Sequence, residues 1–222
     1  PQIDRYYNVW SKYQSRNQSR FVRALDKIGY RDILQDSMGI IDFEPVYARS
    51  KLIEALRYQY ANGGAFRQYE KHIGGGHDLR MYQDSVVWIA DTLTRYLKQT
   101  GDFDLLDVKV PFLSEHTHQP DMSNTGTVYE HACRAIRTLW NHTGYHGLCK
   151  IGYGDWNDAL SGIGGDKGVS VWLSCAFVYA ANAMADLAKH IGKKTDAIEF
   201  AAYASDMTER INQNAWDGQW YI

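Results

Sequence analysis

Apolar residues recur at helical spacing along most of this 222-residue sequence, whereas the strict alternation of a half-buried strand does not recur. The clearest apolar stripe lies in "GTVYEHACRAIRTLWNHTG" and consists of Val128, Ala132, Ala135 and Leu139. Thr127 and Glu130 precede the stripe at the spacing of a capping box, and Gly144 follows it. This segment is therefore predicted to be an amphipathic helix that Gly144 ends.

Further segments show the same period. In "EPVYARSKLIEALRYQY", Pro45 suits a first helical turn. The apolar stripe of that segment is Val46, Ile53, Leu56 and Tyr60. In "DSVVWIADTLTRYLKQTGD", Asp84 is predicted to cap the helix and Gly101 to end it. Helices are also predicted at about residues 2–24, 170–189 and 195–214.

Polar, glycine-bearing segments separate these helices. They read "IGYRDILQDSMG", "NGGAFRQYEKHIGGGHD" and "IGYGDWNDALSGIGGDKG". All three are predicted to be loops, and loops are where binding and catalytic residues concentrate. Long helices alternating with such loops predict an all-α fold, a toroid of helical hairpins whose loops converge on one face.

Composition narrows the classes of ligand and compartment. The formal charge is −2, and no run of Lys and Arg marks a nucleic-acid or membrane surface. No apolar run approaches the roughly 20 residues of a membrane span, and no export signal is recognisable. The three cysteines lack CxxC spacing, which favours reduced thiols and a cytoplasmic location. The histidines suggest no metal site. We therefore expect a neutral or weakly charged ligand.

Aromatic and acidic residues point to a sugar. Aromatic residues make up 14% of the chain, which suits stacking on pyranose faces, although packing alone could account for them. Two clusters, "RDILQD" and "GDWND", combine Asp with Arg, Gln, Trp or Asn. Either cluster alone could consist of helix caps and turn formers. Together they supply hydroxyl partners, an aromatic wall and a carboxyl that could protonate a glycosidic oxygen.

Five motifs in order resemble one enzyme family. They are "GYRDILQDSMG", "GGAFRQYE", "YLKQTGDFDLLD", "HGLCKIGYGDWNDAL" and "NAWDGQWY". They resemble the catalytic barrel of glycoside hydrolase family 94, the inverting β-glycoside phosphorylases such as cellobiose and chitobiose phosphorylases. The resemblance implies an (α/α)6 barrel and phosphorolysis of a β-linked gluco-disaccharide or oligosaccharide to an α-sugar 1-phosphate. It further implies inorganic phosphate as co-substrate, no other cofactor, and in many members a homodimer.

The resemblance also assigns roles to residues of this sequence. Asp158 matches the general acid that protonates the glycosidic oxygen, and Trp156 matches a residue of the donor-sugar subsite. Arg31 and Asp32 match residues that hold the hydroxyls of the non-reducing sugar. Asp155 and Asn157 are expected to shape the loop. A phosphorylase needs no second carboxylate to activate water, because phosphate is itself the nucleophile.

Two alternatives stay open. An inverting hydrolase on a similar barrel would need a water-activating carboxylate, roughly 6.5–9.5 Å from the acid, for which Asp32, Asp36 and Asp84 are candidates. A non-catalytic sugar-binding fragment would retain affinity without chemistry. The resemblance covers about half of a twelve-helix barrel, without the family's N-terminal β-sandwich and the C-terminal part of the barrel. We therefore expect residues 1–222 to be a fragment of one catalytic domain, inactive alone.

Overall fold

The computed structural model describes residues 1–22, 27–71, 76–160 and 162–222. Its α-helices are α1 (Gln2–Arg5), α2 (Lys12–Asn17), α3 (Tyr30–Met38), α4 (Pro45–Leu56), α5 (Val87–Thr100), α6 (Val128–Asn141), α7 (Val171–His190) and α8 (Lys194–Asn214). Two small antiparallel sheets pair β1 (Lys27–Gly29) with β2 (Gln68–Glu70) and β3 (Lys109–Leu113) with β4 (Pro120–Thr127). The predicted, mostly helical architecture is confirmed, and these short strands were not predicted.

Helix ends that depend on local chemistry agree with the sequence. Thr127 Oγ1 accepts a hydrogen bond from the Glu130 amide at 3.0 Å, and the Glu130 carboxylate accepts one from the Thr127 amide at 2.6 Å. The predicted capping box is therefore present. Gly101 ends α5 with φ of 69°, in the left-handed region that favours glycine. Ser170 caps α7 by accepting from the Leu173 amide.

The N-terminal segment is helical through residue 22, because the π-helical turns Tyr6–Ser11 and Gln18–Val22 join α1 and α2 into one run. The last two residues of the helix predicted at 2–24 lie outside the described residues. Helix α6 ends at Asn141, three residues before Gly144.

The predicted stripe of α4 is partly wrong. Val46 is 82% exposed, and the buried face of α4 carries Ala48, Leu52, Ala55 and Leu56. Val46 therefore lies outside the core face of α4, and Ile53 of the predicted stripe is only partly buried. The helix also ends at Leu56, so that Tyr60 reaches the core from the turn that follows it.

Helix α3 corrects a second prediction. The segment "GYRDILQDSM" was predicted to be a loop, but Tyr30 begins a helix whose buried residues are Tyr30, Ile33, Leu34 and Ser37. These positions follow the i, i+3, i+4, i+7 pattern of one helical face, which the charged residues between them obscure. Because α3 packs against α4 and α5, Arg31 and Asp32 stand on a rigid first turn.

The core is formed mainly between helices. Helix α7 packs against α5 and α8, and α3 packs against α4 and α5. The side chains buried between α7 and α8 include Phe177, Met184, Phe200 and Met207, each with no exposed surface. Helix α7 is long and apolar enough, with a mean hydropathy of 1.3, to pass a length-and-composition test for a membrane span. Half of that stretch is buried inside the fold, so core packing accounts for its composition.

The segment "GYGDWNDAL" lies in the long loop that connects α6 to α7. This loop, residues 142–160 and 162–170 of the described structure, is called the excursion below. Its base is closed by hydrogen bonds from the Ile151 amide to the Gly168 carbonyl and from the Ser170 amide to the Cys149 carbonyl. The excursion is also attached to the segment before α5, because the backbone amide of Gln83 donates to the Gly154 carbonyl at 3.0 Å. A Cβ at Gly154 would lie 2.8 Å from a ring carbon of Tyr82, so glycine is required for this close approach.

Candidate active site

Arg31 and Asp158 meet although they are far apart in sequence. The Nη2 atom of Arg31 donates to Oδ1 of Asp158 at 2.7 Å, and Nη1 donates to the carbonyl of Asp155 at 2.9 Å. The Asp158 side chain is 47% exposed and begins a short 3-10 turn, Asp158–Leu160. A carboxyl that is half exposed at a pocket edge can reach a bound sugar, as a general acid must.

A second guanidinium contacts the same carboxylate. Arg67 Nη2 donates to Oδ2 of Asp158 at 3.2 Å, while its Nη1 donates to Oδ2 of Asp78 at 3.3 Å. Arg67 lies on the segment "GGAFRQYE", and its guanidinium carbon is 5.1 Å from the centre of the Tyr82 ring. Each oxygen of Asp158 thus accepts a hydrogen bond from a different arginine.

Asp84 contacts Arg31 from the protein interior. Its side chain is fully buried, and its Oδ2 atom accepts from Arg31 Nη1 at 3.2 Å and from Trp88 Nε1 at 3.1 Å. Burial raises the pKa of Asp84, although Arg31 and Trp88 lower it in part. The prediction that Asp84 caps α5 is wrong, because α5 begins at Val87 and the side chain of Asp84 is turned toward Arg31.

Asp155 and Asn157 shape the loop. Asp155 is buried, and its Oδ2 atom accepts from the Ser170 hydroxyl at 2.5 Å, while Oδ1 accepts from the Asn157 amide at 2.8 Å. Ser170 is also the cap of α7. The carboxylate of Asp155 therefore connects the loop to the start of α7 through Ser170. The backbone carbonyl of Asp155 accepts from Arg31 and orients its guanidinium. Asp155 and Asp158, two acids of one motif, are held in opposite environments.

Trp156 lies beside the pocket and not in its lining. Its ring is 55% exposed and lies 6.4 Å, centre to centre, from the ring of Trp172, which lies 6.3 Å from Trp88. The three indoles form a row that begins at Asp84 and ends at the exposed Trp156. Such a row offers apolar faces for pyranose rings.

Asp32 shares a small pocket with Asp158. The pocket is lined by Gly29, Arg31, Asp32, Arg67, Gln68, Tyr82, Ser85 and Asp158. The hydroxyl of Ser85 is buried without a hydrogen-bond partner among the described residues. Asp36 lies on the next turn of α3 and lines a different groove, against the N-terminal helical segment.

The structure thus brings Arg31, Asp32 and Asp158 together, with Trp156 adjacent. Within the described ranges, no three His, Cys, Asp or Glu side chains are grouped to hold a metal ion. The contact of Arg67 with Asp158 is not predicted from the sequence, although Arg67 lies in "GGAFRQYE", one of the motifs that carry the resemblance. Ser85 in the pocket and Trp172 beside Trp156 are likewise not predicted, because no sequence pattern marks them.

Comparisons with known proteins agree on one family. The chain matches the model for the catalytic domain of the glycosyl hydrolase 94 superfamily over residues 1–222. It is 39% identical to a solabiose phosphorylase and 31% identical to a 3-O-beta-D-glucopyranosyl-beta-D-glucuronide phosphorylase, both from Paenibacillus borealis. Each match covers 99% of this chain but only 27% and 28% of the two relatives.

A solved structure supports the fold alone. A rhamnosidase from Klebsiella oxytoca with rhamnose bound superposes with a TM-score of 0.58 at 14% sequence identity. The match covers 90% of this chain and 35% of the rhamnosidase. The helical arrangement is therefore one that also occurs in a larger sugar-processing enzyme, and the low identity carries no functional conclusion.

Proposed function

This chain belongs to the glycosyl hydrolase 94 superfamily, and we propose that it is part of the catalytic domain of an inverting β-glycoside phosphorylase. The proposed reaction cleaves a β-linked gluco-disaccharide or oligosaccharide with inorganic phosphate and yields an α-sugar 1-phosphate. The domain proposal follows from coverage, since the two phosphorylase relatives are several times longer than this chain. We propose that residues 1–222 contribute part of an (α/α)6 barrel.

The observation that carries the proposal is the position of Asp158. Its carboxyl stands half exposed at the edge of a pocket, on a loop that Asp155, Ser170 and Tyr82 hold in place. A general acid has to reach the glycosidic oxygen of a bound substrate and transfer a proton to it as the bond breaks. Asp158 is the acid of "GDWND" that remains accessible for this, because its side chain is half exposed whereas Asp155 is buried.

The remaining roles follow from the same geometry. We assign Arg31 and Asp32 to the hydroxyls of the donor sugar, because both line the pocket beside Asp158. Arg31 is oriented by Asp84 and by the Asp155 carbonyl, so its guanidinium is preorganised. Trp156 would offer its exposed ring as an apolar wall. Phosphate would attack the anomeric carbon from the face opposite Asp158, which inverts the configuration.

The decisive experiment uses the intact protein and a panel of β-linked disaccharides with inorganic phosphate. The wild type should release sugar 1-phosphate with at least one linkage, and only when phosphate is present. Asp158→Asn should lower this rate on the order of 10²–10⁴-fold, because proton donation to the leaving oxygen is lost. Asp166→Asn, an exposed acid of the same excursion, serves as the matched control and should retain the rate.

A hydrolase is the second candidate, because Asp32 lines the same pocket as Asp158. In that case Asp32 would activate a water molecule and the product would be free sugar. Release of free sugar at an equal rate with and without phosphate would replace the phosphorylase proposal by this one. Binding of the disaccharide without any product would favour a sugar-binding module instead.

A further inference from the structure

Ser170 joins the first turn of α7 to the excursion through one buried hydroxyl. Its Oγ atom accepts a hydrogen bond from the Leu173 amide at 2.9 Å, as the cap of α7. The same hydroxyl donates to Oδ2 of Asp155 at 2.5 Å. A serine hydroxyl has one hydrogen to donate and lone pairs to accept, so it can make both bonds at once. The side chain of Asp155 is therefore tied to the end of a helix.

The backbone of Ser170 is also fixed by hydrogen bonds. Ser174, one turn further along α7, donates from its hydroxyl to the Ser170 carbonyl at 2.8 Å and accepts from the Cys149 amide at 3.0 Å. The Ser170 amide donates to the Cys149 carbonyl at 2.8 Å. Both neighbours are buried, and α7 itself packs against α5 and α8. Ser170 is therefore held firmly in the fold, although it is the last residue of the excursion.

Asp155 connects Ser170 to the proposed general acid in two ways. Its Oδ1 atom accepts from the Asn157 amide at 2.8 Å, which fixes the backbone one residue before Asp158. Its backbone carbonyl accepts from Arg31 Nη1 at 2.9 Å, and Arg31 Nη2 donates to Oδ1 of Asp158 at 2.7 Å. The Ser170 hydroxyl is thus linked to Asp158 along the loop and also through Arg31.

The position of Asp158 depends on how firmly its loop is held. The Asp158 side chain is 47% exposed, and in the described part of the chain its carboxylate receives hydrogen bonds from Arg31 and Arg67 alone. Both arginines belong to other segments, so the loop backbone has to be fixed separately. A displacement of about 1 Å in a catalytic group can lower a rate on the order of 100-fold. The bond between Ser170 and Asp155 is a buried contact that prevents such a displacement.

We propose that Ser170 is a positioning residue of the reaction, which acts through Asp155 to place Asp158 for proton transfer to the leaving oxygen. Without the hydroxyl, Oδ2 of Asp155 would lose the hydrogen bond that it accepts inside the protein. A buried carboxylate that loses a donor gains by turning toward water, and the loop would move with it. The inference rests on the proposed phosphorylase function and adds to it a residue that does not line the pocket.

The test measures phosphorolysis of a β-linked disaccharide by variants of the intact protein. Ser170→Ala removes the hydroxyl and should lower kcat on the order of 10- to 100-fold. KM for the disaccharide should change by less than about threefold, because the residues that line the pocket are kept. Ser170→Thr keeps a hydroxyl that can cap the helix and donate to Asp155, so it should retain most of the wild-type kcat.

Thr127→Ala is the matched control for the loss of a helix cap. Thr127 caps α6 as Ser170 caps α7, but its side chain contacts Glu130 and not the excursion. This variant and Ser170→Ala should lose similar amounts of thermal stability, since each loses one cap. Thr127→Ala should nevertheless keep the wild-type kcat. The comparison therefore separates the role of Ser170 in the reaction from its role in stability.

A second substrate tests whether Ser170 acts through the acid. A β-glycosyl fluoride of the same sugar reacts with phosphate by breaking the C–F bond and forming the C–O bond to phosphate. Fluoride is a weak base and leaves with little need of a proton, so general acid catalysis contributes little. Ser170→Ala should therefore reach within about threefold of the wild-type rate on the fluoride. Asp158→Asn should recover in the same way and serves as the reference.

Three results would overturn the inference: a wild-type kcat in Ser170→Ala, an equal loss of rate with the disaccharide and the fluoride, or an equal defect in Ser170→Thr and Ser170→Ala. The first would mean that the hydroxyl serves stability alone, the second that the whole site is disturbed, and the third that the hydroxyl is not the group responsible. A wild type that makes no sugar 1-phosphate from any disaccharide or from the fluoride would instead remove the proposed function, and this inference with it.

Discussion

The α7–α8 hairpin and the excursion that carries Asp158 are built by different physics. In the hairpin, buried apolar side chains such as Phe177 and Phe200 are surrounded by other helices. In the excursion, Asp155, Ser170 and Arg31 fix the backbone through a few directed hydrogen bonds between segments distant in sequence. In the hairpin, the position of each side chain is determined by many weak apolar contacts. In the excursion, the position of each group is determined by a few hydrogen bonds. Substitutions in the hairpin should therefore mainly lower the free energy of unfolding, whereas substitutions in the excursion should mainly displace the side chains of the candidate site.

The largest stability effect is expected at Phe200, which has no exposed surface. Phe200→Ala should lower the free energy of unfolding by about 3–5 kcal/mol, because it removes buried apolar area and leaves a cavity. It also removes the ring that the Arg137 guanidinium covers at 5.2 Å. Urea unfolding of the intact protein, followed by tryptophan fluorescence, measures the change.

Gln213→Ala is the matched control, an exposed position on the same helix. It should change the free energy of unfolding by no more than about 0.5 kcal/mol. A Phe200→Ala variant as stable as this control would contradict the description of the hairpin as the part of the fold where packing dominates.

A smaller effect is expected at the cap of α6. Thr127→Ala removes the side-chain oxygen that accepts from the Glu130 amide and should cost about 1 kcal/mol. Thr125→Ala, an exposed threonine on β4, should cost less because it caps no helix. Thermal unfolding of both variants beside the wild type checks the difference, and equal midpoints for the two variants would rule out a stabilising cap.

The same contrast explains what could be predicted from the sequence. Caps, glycine stops and apolar stripes are local, so the end of α5 and the limits of α7 and α8 follow closely from residues within one or two turns. Helix α3 was missed because its buried face is interrupted by Arg31, Asp32 and Asp36. Val46 was misplaced because periodicity alone cannot tell which of two neighbouring stripes finds a partner helix.

The candidate site could be predicted only in part. Its acid and its donor-side residues came from a resemblance, and their roles remain proposals. The ion pairs around Asp158 could not be predicted, because Arg31, Arg67 and Asp158 are brought together only by the packing of α3, the segment that leads into β2, and the excursion. The net charge of −2 favoured a neutral ligand, yet net charge does not describe how cations are distributed over the surface.

The smallest stability effect is expected at Asp84, the buried residue that pairs with Arg31. Arg31 in turn contacts Asp158 of the excursion. Burial raises the pKa of Asp84 in the folded protein, so the folded state binds this proton more tightly than the unfolded chain does. A group of this kind contributes less stability as pH rises above its unfolded pKa, near 3.9. Asn resembles the protonated carboxyl in shape, so Asp84→Asn should match the wild type within about 1 kcal/mol at pH 4.

Between pH 4 and pH 7 the Asp84→Asn variant should gain stability relative to the wild type, because only the wild type has to bury a developing charge. Urea unfolding at pH 4, 5, 6 and 7 measures this difference, with the exposed Asp104→Asn as a control that should follow the wild type at every pH. A difference that moves in favour of the wild type as pH rises would mean that Arg31 more than compensates the burial of Asp84. The Arg31–Asp84 ion pair would then contribute to the stability of the fold, as apolar packing does. The contrast drawn between the hairpin and the excursion would not hold at Asp84. The expected result would instead mean that Asp84 is retained to orient Arg31 toward Asp158 and not for stability.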